Sequence, residues 1–152
     1  MSQSDNGYWR LVDPIWDSIS IYDGAETFLQ EFREVPPAVG NLLAGHWCQS
    51  EVDNGGLHQF FWNSTGVLAP EAVRAFRAIG LIEWADIVEE AMSFFGQPYP
   101  REQADRQKSL TDPLTKNRKE WDPFIDLDNR FYETDHDQWE QLANTYAAKI
   151  AD

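Results

Sequence analysis

The sequence is short of cysteine and of basic residues, and it has no long apolar run. Its 152 residues include one Cys, 12 Lys and Arg, and 26 Asp and Glu, for a formal net charge of −14. One cysteine excludes an internal disulfide and suits a reducing compartment. No run approaches the ~18 apolar residues of a membrane span, and the first residues lack the pattern of a signal peptide. A cytoplasmic protein is expected.

The shortage of basic residues restricts the partners that the protein can bind. Acids outnumber bases in residues 1–40, 41–100 and 121–152, and bases outnumber acids in residues 101–120. A surface of this sign repels bare nucleic acid and anionic membranes, so neither is expected as a direct partner. A basic protein surface is a better match, although acidity can also serve solubility alone.

The pattern of apolar residues predicts an all-α fold, a compact helical bundle in a single domain over residues 1–152. Aromatic residues make up 14% of the chain, which is too much apolar bulk for disorder. No stretch alternates with the period of a strand. Prolines in first turns, glycines at helix ends and helical periodicity predict the helices. Two of them begin at Pro14 and at Pro37. The others cover Ala25 to about Arg33, Leu57 to Trp62, Pro70 to Gly80, Leu81 to Phe95, Arg101 to Leu110 and Asp137 to Ile150.

Metal-ligating residues occur close together between positions 46 and 58. His46, Glu51, Asp53 and His58 offer nitrogen and oxygen ligands within this stretch. Their spacing differs from the helical zinc motif, in which two His lie four residues apart with a Glu between them. A histidine packed in a helix interface, with the acids facing water, is the favoured interpretation. No metal and no cofactor is expected.

Cys48 is the candidate for nucleophilic catalysis. A reactive thiol needs a depressed pKa, whereas Glu51 and Asp53 would raise the pKa of Cys48. His46 lies two residues away, on a different side of a helix. A buried, inert thiol is therefore favoured, and the protein is not expected to be an enzyme. The alternative is a small hydrolase or metal protein that uses the four residues His46, Cys48, Glu51 and His58.

The Gly55-Gly56 pair is predicted to redirect the chain between two helices, because glycine adopts positive φ without steric cost. Gln59 and Asn63 follow it, four residues apart on one helix face. Both are expected to reach back to backbone groups that the break leaves without partners. This structural motif comprises Asn54, Gly55, Gly56, Gln59, Asn63 and Gly66.

Acidic residues follow helical spacing in two parts of the chain. Glu83, Asp86 and Glu90 occur at i, i+3 and i+7, so their side chains share a face opposite the apolar stripe. Glu89 lies on the same side of this helix. Like charges at such spacing destabilise an isolated helix, so a function for them is a reasonable hypothesis. The second acidic cluster consists of Asp126, Asp128, Glu133, Asp135, Asp137 and Glu140.

The run SEVDNGGLHQFFWNSTGVLAPEAVRAFRAIG, followed by EEAMSFFG and YPREQADRQ, resembles a bacterial family named for a DNA-mimic protein. The family signature is an NGG, a QFF or QYF, an N-S-x-G and a helix that ends in IG. The resemblance covers about Ile15 to Arg106, with Phe131-Tyr132 as a further motif. The matching residues are Asn54-Gly55-Gly56, Gln59-Phe60-Phe61, Asn63-Ser64-Thr65-Gly66 and Ile79-Gly80.

The resemblance implies a compact all-α homodimer in a bacterial cytoplasm. It also implies an acidic surface that imitates duplex DNA and occupies the DNA-binding face of a basic DNA-binding protein, such as a helix-turn-helix regulator. Duplex DNA carries one charge per ~1.7 Å of its axis, so a mimic needs closely spaced carboxylates. The two acidic groups described above are the expected partner-binding surface.

Overall fold

The computed structural model describes residues 7–111, 122–134 and 136–151 of the chain. These residues form eight α-helices and no strand, which confirms the all-α prediction. Short 3₁₀ helices cover Asp13–Ser18, Ser64–Leu68 and Ser93–Phe95. The α-helices are α1 (Trp9–Val12), α2 (Ala25–Arg33), α3 (Pro37–Trp62), α4 (Ala69–Ile79), α5 (Ile82–Met92), α6 (Gln103–Leu110), α7 (Ile125–Tyr132) and α8 (His136–Ala151).

Helix α3 lies at the centre and contacts α1, α4, α6, α7 and α8. It begins at Pro37, which fixes a helical φ and has no N–H to leave unpaired. Its direction changes at Gly55 and Gly56, whose backbone is not helical. Gly56 has a φ of 81°, a value that side chains disfavour. The predicted redirection at the glycine pair is confirmed.

One continuous apolar core joins α3, α4 and α5 to the C-terminal helices. Trp84 of α5 stacks on Phe131 of α7 with ring centroids 4.1 Å apart, and its indole N–H donates to the Phe131 carbonyl at 3.1 Å. Helix α8 approaches α3 closely, because a Cβ atom on Gly45 would lie 2.7 Å from the Trp139 ring. Large aromatic side chains therefore hold the last two helices on the core.

Two predicted helices differ in part from those observed. The segment from Pro14 forms a 3₁₀ helix that stops at Ser18, because Ile19 adopts an extended conformation and buries its side chain. Tyr22 is consequently 75% exposed and does not extend an apolar stripe. The helix predicted to reach Phe95 ends as an α-helix at Met92 and continues as a 3₁₀ turn to Gly96, whose φ is 79°.

No helix in the described part of the chain combines the length and the apolar character that crossing a bilayer requires. The longest, α3, is interrupted by the non-helical Gly55 and Gly56. Helix α4 ends at Gly80, which adopts the left-handed conformation with φ 109°.

Candidate interaction surface

Helix α5 presents four carboxylates to solvent, and these residues are called the α5 acidic face. Their side chains are between 53% and 64% exposed. The opposite side of the helix is buried through Trp84, Ile87 and Val88. Burial of that side orients the face outward, as the periodicity predicted. The α5 acidic face consists of Glu83, Asp86, Glu89 and Glu90.

Arginines from the two neighbouring helices bind all four of these carboxylates. Arg77 of α4 pairs with Asp86 at 3.1 Å and with Glu89 at 2.9 Å. The pairs are exposed, so each contributes little to stability. Their main effect is to hold the two carboxylate groups in place beside a positive charge.

Arg130 of α7 completes the arrangement from the other side. Its guanidinium group lies 3.0 Å from Glu83 and 3.6 Å from Glu90. The hydrogen bond from Arg130 to Glu83 and the nearby carboxylates raise the pKa of Arg130. Four carboxylates and two guanidinium groups leave a face that is still negative, but less so than the acids alone. Sequence reasoning missed both arginines, because each belongs to a different helix from the acids that it binds.

The second acidic group is only partly at the surface. Asp126, Glu133, Asp137 and Glu140 are exposed, and these four are called the α7–α8 acidic cluster. No ion pair within the described ranges involves Asp126, Glu133 or Glu140. Asp135 was predicted to belong here but lies outside the described residues.

Asp128 was predicted to belong to the acidic surface, but it is buried. Its side chain is 7% exposed, and its Oδ1 atom accepts a hydrogen bond of 2.8 Å from the Leu57 amide. Leu57 is the first residue after the glycine kink, where the restarted helix leaves amides without partners. Burial raises the pKa of Asp128, and the bond from Leu57 opposes this shift. Asp128 caps a helix and is not accessible to a partner.

The side chains of Gln59 and Asn63 bind the side chain of Glu51. Contrary to the prediction, neither side chain bonds a backbone group in the described part of the chain. Gln59 Nε2 donates to Glu51 Oε2 at 2.8 Å, and Asn63 Nδ2 lies 3.3 Å from the same oxygen. Thr65 Oγ1 donates to Glu51 Oε1 at 3.0 Å. The backbone amide freed by the kink is bound by Asp128, so the polar side chains of the motif are available for the carboxylate.

Arg106 fixes the turn that follows α3. Its guanidinium group is fully buried and donates to the carbonyls of Phe61 at 2.9 Å and Asn63 at 2.9 Å. It also donates to the carbonyls of Pro100 and Arg101. Gly66 is required beside it, since a Cβ atom there would lie 2.6 Å from Arg106 Nε.

Two arginines of the basic segment that starts at residue 101 therefore do not present a free positive charge to solvent. Arg106 is buried, and Arg101 makes two bonds, of 2.7 and 3.0 Å, to the buried carboxylate of Glu71. Arg74 binds the same carboxylate at 2.9 Å. Lys108 is exposed, and residues 112–121 lie outside the described ranges.

The residues of the enzyme alternative are not brought together into a reactive site. His46 lies among aromatic rings, with its Nδ1 atom 2.9 Å from the Tyr8 hydroxyl, and burial lowers its pKa to about 4. Cys48 is fully buried, and burial, Asp53 and Glu51 raise its pKa well above the ordinary value. His58 stacks on Trp62 instead. Within the described residues, no group of three or more His, Cys, Asp or Glu side chains is arranged to hold a metal ion.

The fold and the surface together define a class of protein. It is an all-helical, strongly acidic protein whose polar signature residues hold a helix kink and a turn, and whose exposed helix faces carry carboxylates. The signature is thus largely structural. Exposed carboxylates lie on α5, α7 and α8.

The family follows from comparison with known proteins. The family model described as DMP19-like protein matches residues 33–150, which is more than half of the chain. The chain belongs to this family of DNA mimic proteins. The matched region starts later than the resemblance in the sequence and extends further, through α7 and α8. Comparison with curated proteins and with solved structures finds no similar chain.

Proposed function

We propose that this protein is a non-enzymatic, cytoplasmic DNA mimic that occupies the DNA-binding face of a basic DNA-binding protein, such as a helix-turn-helix regulator. Membership of the DMP19-like family is the observation that carries this role. The net charge of −14 agrees with it, because a basic DNA-binding face attracts an acidic surface. A homodimer would lengthen the acidic surface available to the partner.

The α5 acidic face and the α7–α8 acidic cluster are the proposed contact surface. The first offers carboxylates held in place by Arg77 and Arg130, and such fixed groups lose little freedom on binding. The second offers exposed carboxylates on the adjacent C-terminal helices. Helices α5 and α7 are in contact, so both groups can belong to one continuous surface.

The first experiment is affinity capture from host lysate on the immobilised protein, at low and at high salt. The expected capture is a DNA-binding protein that is retained at low salt and released at high salt, because salt screens exposed charges. Mass spectrometry identifies the captured proteins. A set without any nucleic-acid-binding protein would contradict the proposed function.

Charge reversal then locates the surface. The triple variant Glu83→Lys, Asp86→Lys, Glu90→Lys is expected to abolish capture while leaving helicity intact. A matched control reverses three exposed acids of the N-terminal region and has the same net charge. Equal loss in both variants would contradict a defined surface and leave only long-range attraction. The control substitutions are Asp17→Lys, Glu26→Lys and Glu34→Lys.

A further inference from the structure

A groove runs beside the kinked part of α3, and none of the residues that line it belongs to the α5 acidic face or to the α7–α8 acidic cluster. One part has a volume of about 370 Å³ and is lined by residues that include Tyr22, Trp47, Glu51, Asn63 and Gln103. A second part, of about 560 Å³, shares Trp47 and Glu51 with the first and adds Asp53. The shared residues make Trp47 and Glu51 the centre of the groove.

Glu51 is a carboxylate that only neutral groups hold in place. Gln59, Asn63 and Thr65 donate to its two oxygens at distances between 2.8 and 3.5 Å. In the described part of the chain, no Lys, Arg or His lies within ion-pair distance of Glu51. Neutral donors orient a carboxylate and stabilise its charge without cancelling it. The groove therefore presents a fixed negative charge.

The aromatic rings of Trp47 and Tyr22 line the groove together with the Glu51 carboxylate. Trp47 stacks on Trp16 with ring centroids 4.8 Å apart, which fixes the plane of the Trp47 indole. Tyr22 is 75% exposed and is the most exposed of the large apolar side chains in the described residues. A guanidinium group binds such rings by its face and a carboxylate by its edge, because it is planar and charged.

The second part of the groove supplies acceptors of its own. Gln49 lines it and is 6% exposed, with its amide nitrogen 3.3 Å from the His46 carbonyl. Its Oε1 atom is a buried side-chain oxygen for which the described residues provide no hydrogen-bond donor. A buried acceptor without a donor is costly, and a ligand N–H group would satisfy it. Every side chain with a formal charge at neutral pH that lines either part is an acid, Glu51 or Asp53.

We infer that this groove binds a guanidinium group, with Glu51 as the counter-ion and Trp47 and Tyr22 as the aromatic walls. The group can come from an arginine side chain on a protein or from a free small guanidinium compound. None of the residues that line the site belongs to α5, α7 or α8, so the site and the proposed DNA-mimic surface can be altered by separate substitutions.

The test is an NMR titration of the ¹⁵N-labelled protein with N-acetyl-arginine amide. The expected result is saturable shifts of the Trp47 indole and of the Gln59 and Asn63 side-chain amides. N-acetyl-citrulline amide has nearly the same shape without the charge and is expected to bind at least tenfold more weakly. Equal responses to the two compounds, or no response to either, would overturn the inference.

Two further arms separate the source of the group and the role of the walls. A capped Gly-Arg-Gly peptide that binds more tightly than free methylguanidine indicates a protein source, and the reverse order indicates a small compound. Tyr22→Ala is expected to weaken binding about two- to fivefold, the range of an exposed cation–aromatic contact. Unchanged affinity in this variant would contradict the inferred site, in which Tyr22 is one of the two aromatic walls.

Matched controls keep the test independent of folding and of the mimic role. Ile82→Ala removes an exposed side chain of α5 and is expected to leave the arginine titration unchanged. Glu51→Gln is expected to abolish binding, provided that its thermal unfolding shows a folded protein, and the Tyr22 and citrulline arms do not depend on it. Capture of DNA-binding proteins is expected to survive Tyr22→Ala, so failure here is distinguishable from failure of the proposed function.

Discussion

At the scale of single residues, the kink in α3 depends on a carboxylate that comes from another helix. Gly55 and Gly56 break the backbone ladder, and the Leu57 amide then needs an acceptor. Asp128 provides it at 2.8 Å and lies so close to Gly56 that a Cβ atom there would be 2.8 Å from Oδ2. Two glycines and one buried acid therefore form a single structural unit.

Two substitutions of Asp128 distinguish the effect of its hydrogen-bond acceptor from the effect of its charge. Asp128→Ala is expected to lower the free energy of unfolding by about 1–2 kcal/mol, because the helix amide loses its cap. Asp128→Asn keeps an oxygen acceptor and is expected to cost less at pH 7. The pKa of Asp128 is raised in the folded state, so its ionisation reduces stability as pH rises through that pKa. Denaturant unfolding of the wild type, Asp128→Ala and Asp128→Asn as a function of pH measures both effects. An unchanged free energy of unfolding in Asp128→Ala would contradict the role of Asp128 as a cap.

His46 gives a pH dependence of the opposite sign. Its folded pKa is about 4, below the ordinary 6.5, so the unfolded chain binds a proton first as pH falls. The free energy of unfolding is therefore expected to decrease between pH 6.5 and about 4, by at most about 3 kcal/mol from this group. Above pH 6.5 the contribution is constant. Unfolding measured against pH in the wild type and in His46→Gln isolates it, and identical slopes would exclude this role.

At the scale of elements, Arg106 joins α6 to the turn between α3 and α4. Its planar group reaches several backbone carbonyls at once, which no other side chain can do with the same geometry. Tyr99 adds a bond of 2.7 Å to the Gly66 carbonyl. The turn is thus determined by side chains from a segment more than thirty residues later in the chain.

Loss of Arg106 is expected to cost more than about 3 kcal/mol, because several buried carbonyls lose their donors together. Arg106→Lys is expected to recover only a small part, since an ammonium group cannot span the same acceptors. Equilibrium unfolding in denaturant checks both. Arg74→Lys, a substitution of an exposed arginine, is the control and is expected to change stability little. A free energy of unfolding of Arg106→Lys equal to that of the wild type would show that the planar geometry of the guanidinium group is not needed.

The arginines beside α5 allow a test in which binding is expected to increase. Arg77→Gln with Arg130→Gln removes two positive charges and leaves four carboxylates on the α5 acidic face. If this face binds a basic partner, the affinity for the captured protein is expected to rise severalfold at low salt. The control Arg10→Gln with Arg33→Gln makes the same change in net charge elsewhere. Equal gains in the two double variants would contradict a specific role for α5.

Local patterns were sufficient to predict most helices, the Gly80 cap and the kink at the glycine pair. Each of these depends on neighbours within a few residues in the chain. The partners of Glu83, Asp128 and Leu57 could not be predicted in this way. They join residues that lie 47 or 71 positions apart and depend on how the helices pack. The acidic faces were therefore recognisable from the sequence, but their neutralisation and the burial of Asp128 were not.

At the scale of the whole molecule, packing changes the distribution of charge. Much of the positive charge in the described ranges turns inward or onto nearby acids. Arg106 is buried, Arg101 binds buried Glu71, and Arg77 and Arg130 pair with carboxylates of α5. The acids of the α7–α8 acidic cluster stay exposed.

The central claim is that the protein and DNA compete for one site on a DNA-binding partner. The most direct measurement is a titration in which the protein displaces a labelled operator duplex from the captured partner, followed by fluorescence anisotropy and sizing of the complexes. The expected result is complete displacement, with either the protein or the duplex bound to the partner but never both. A stable complex that contains the partner, the duplex and this protein together would contradict the claim.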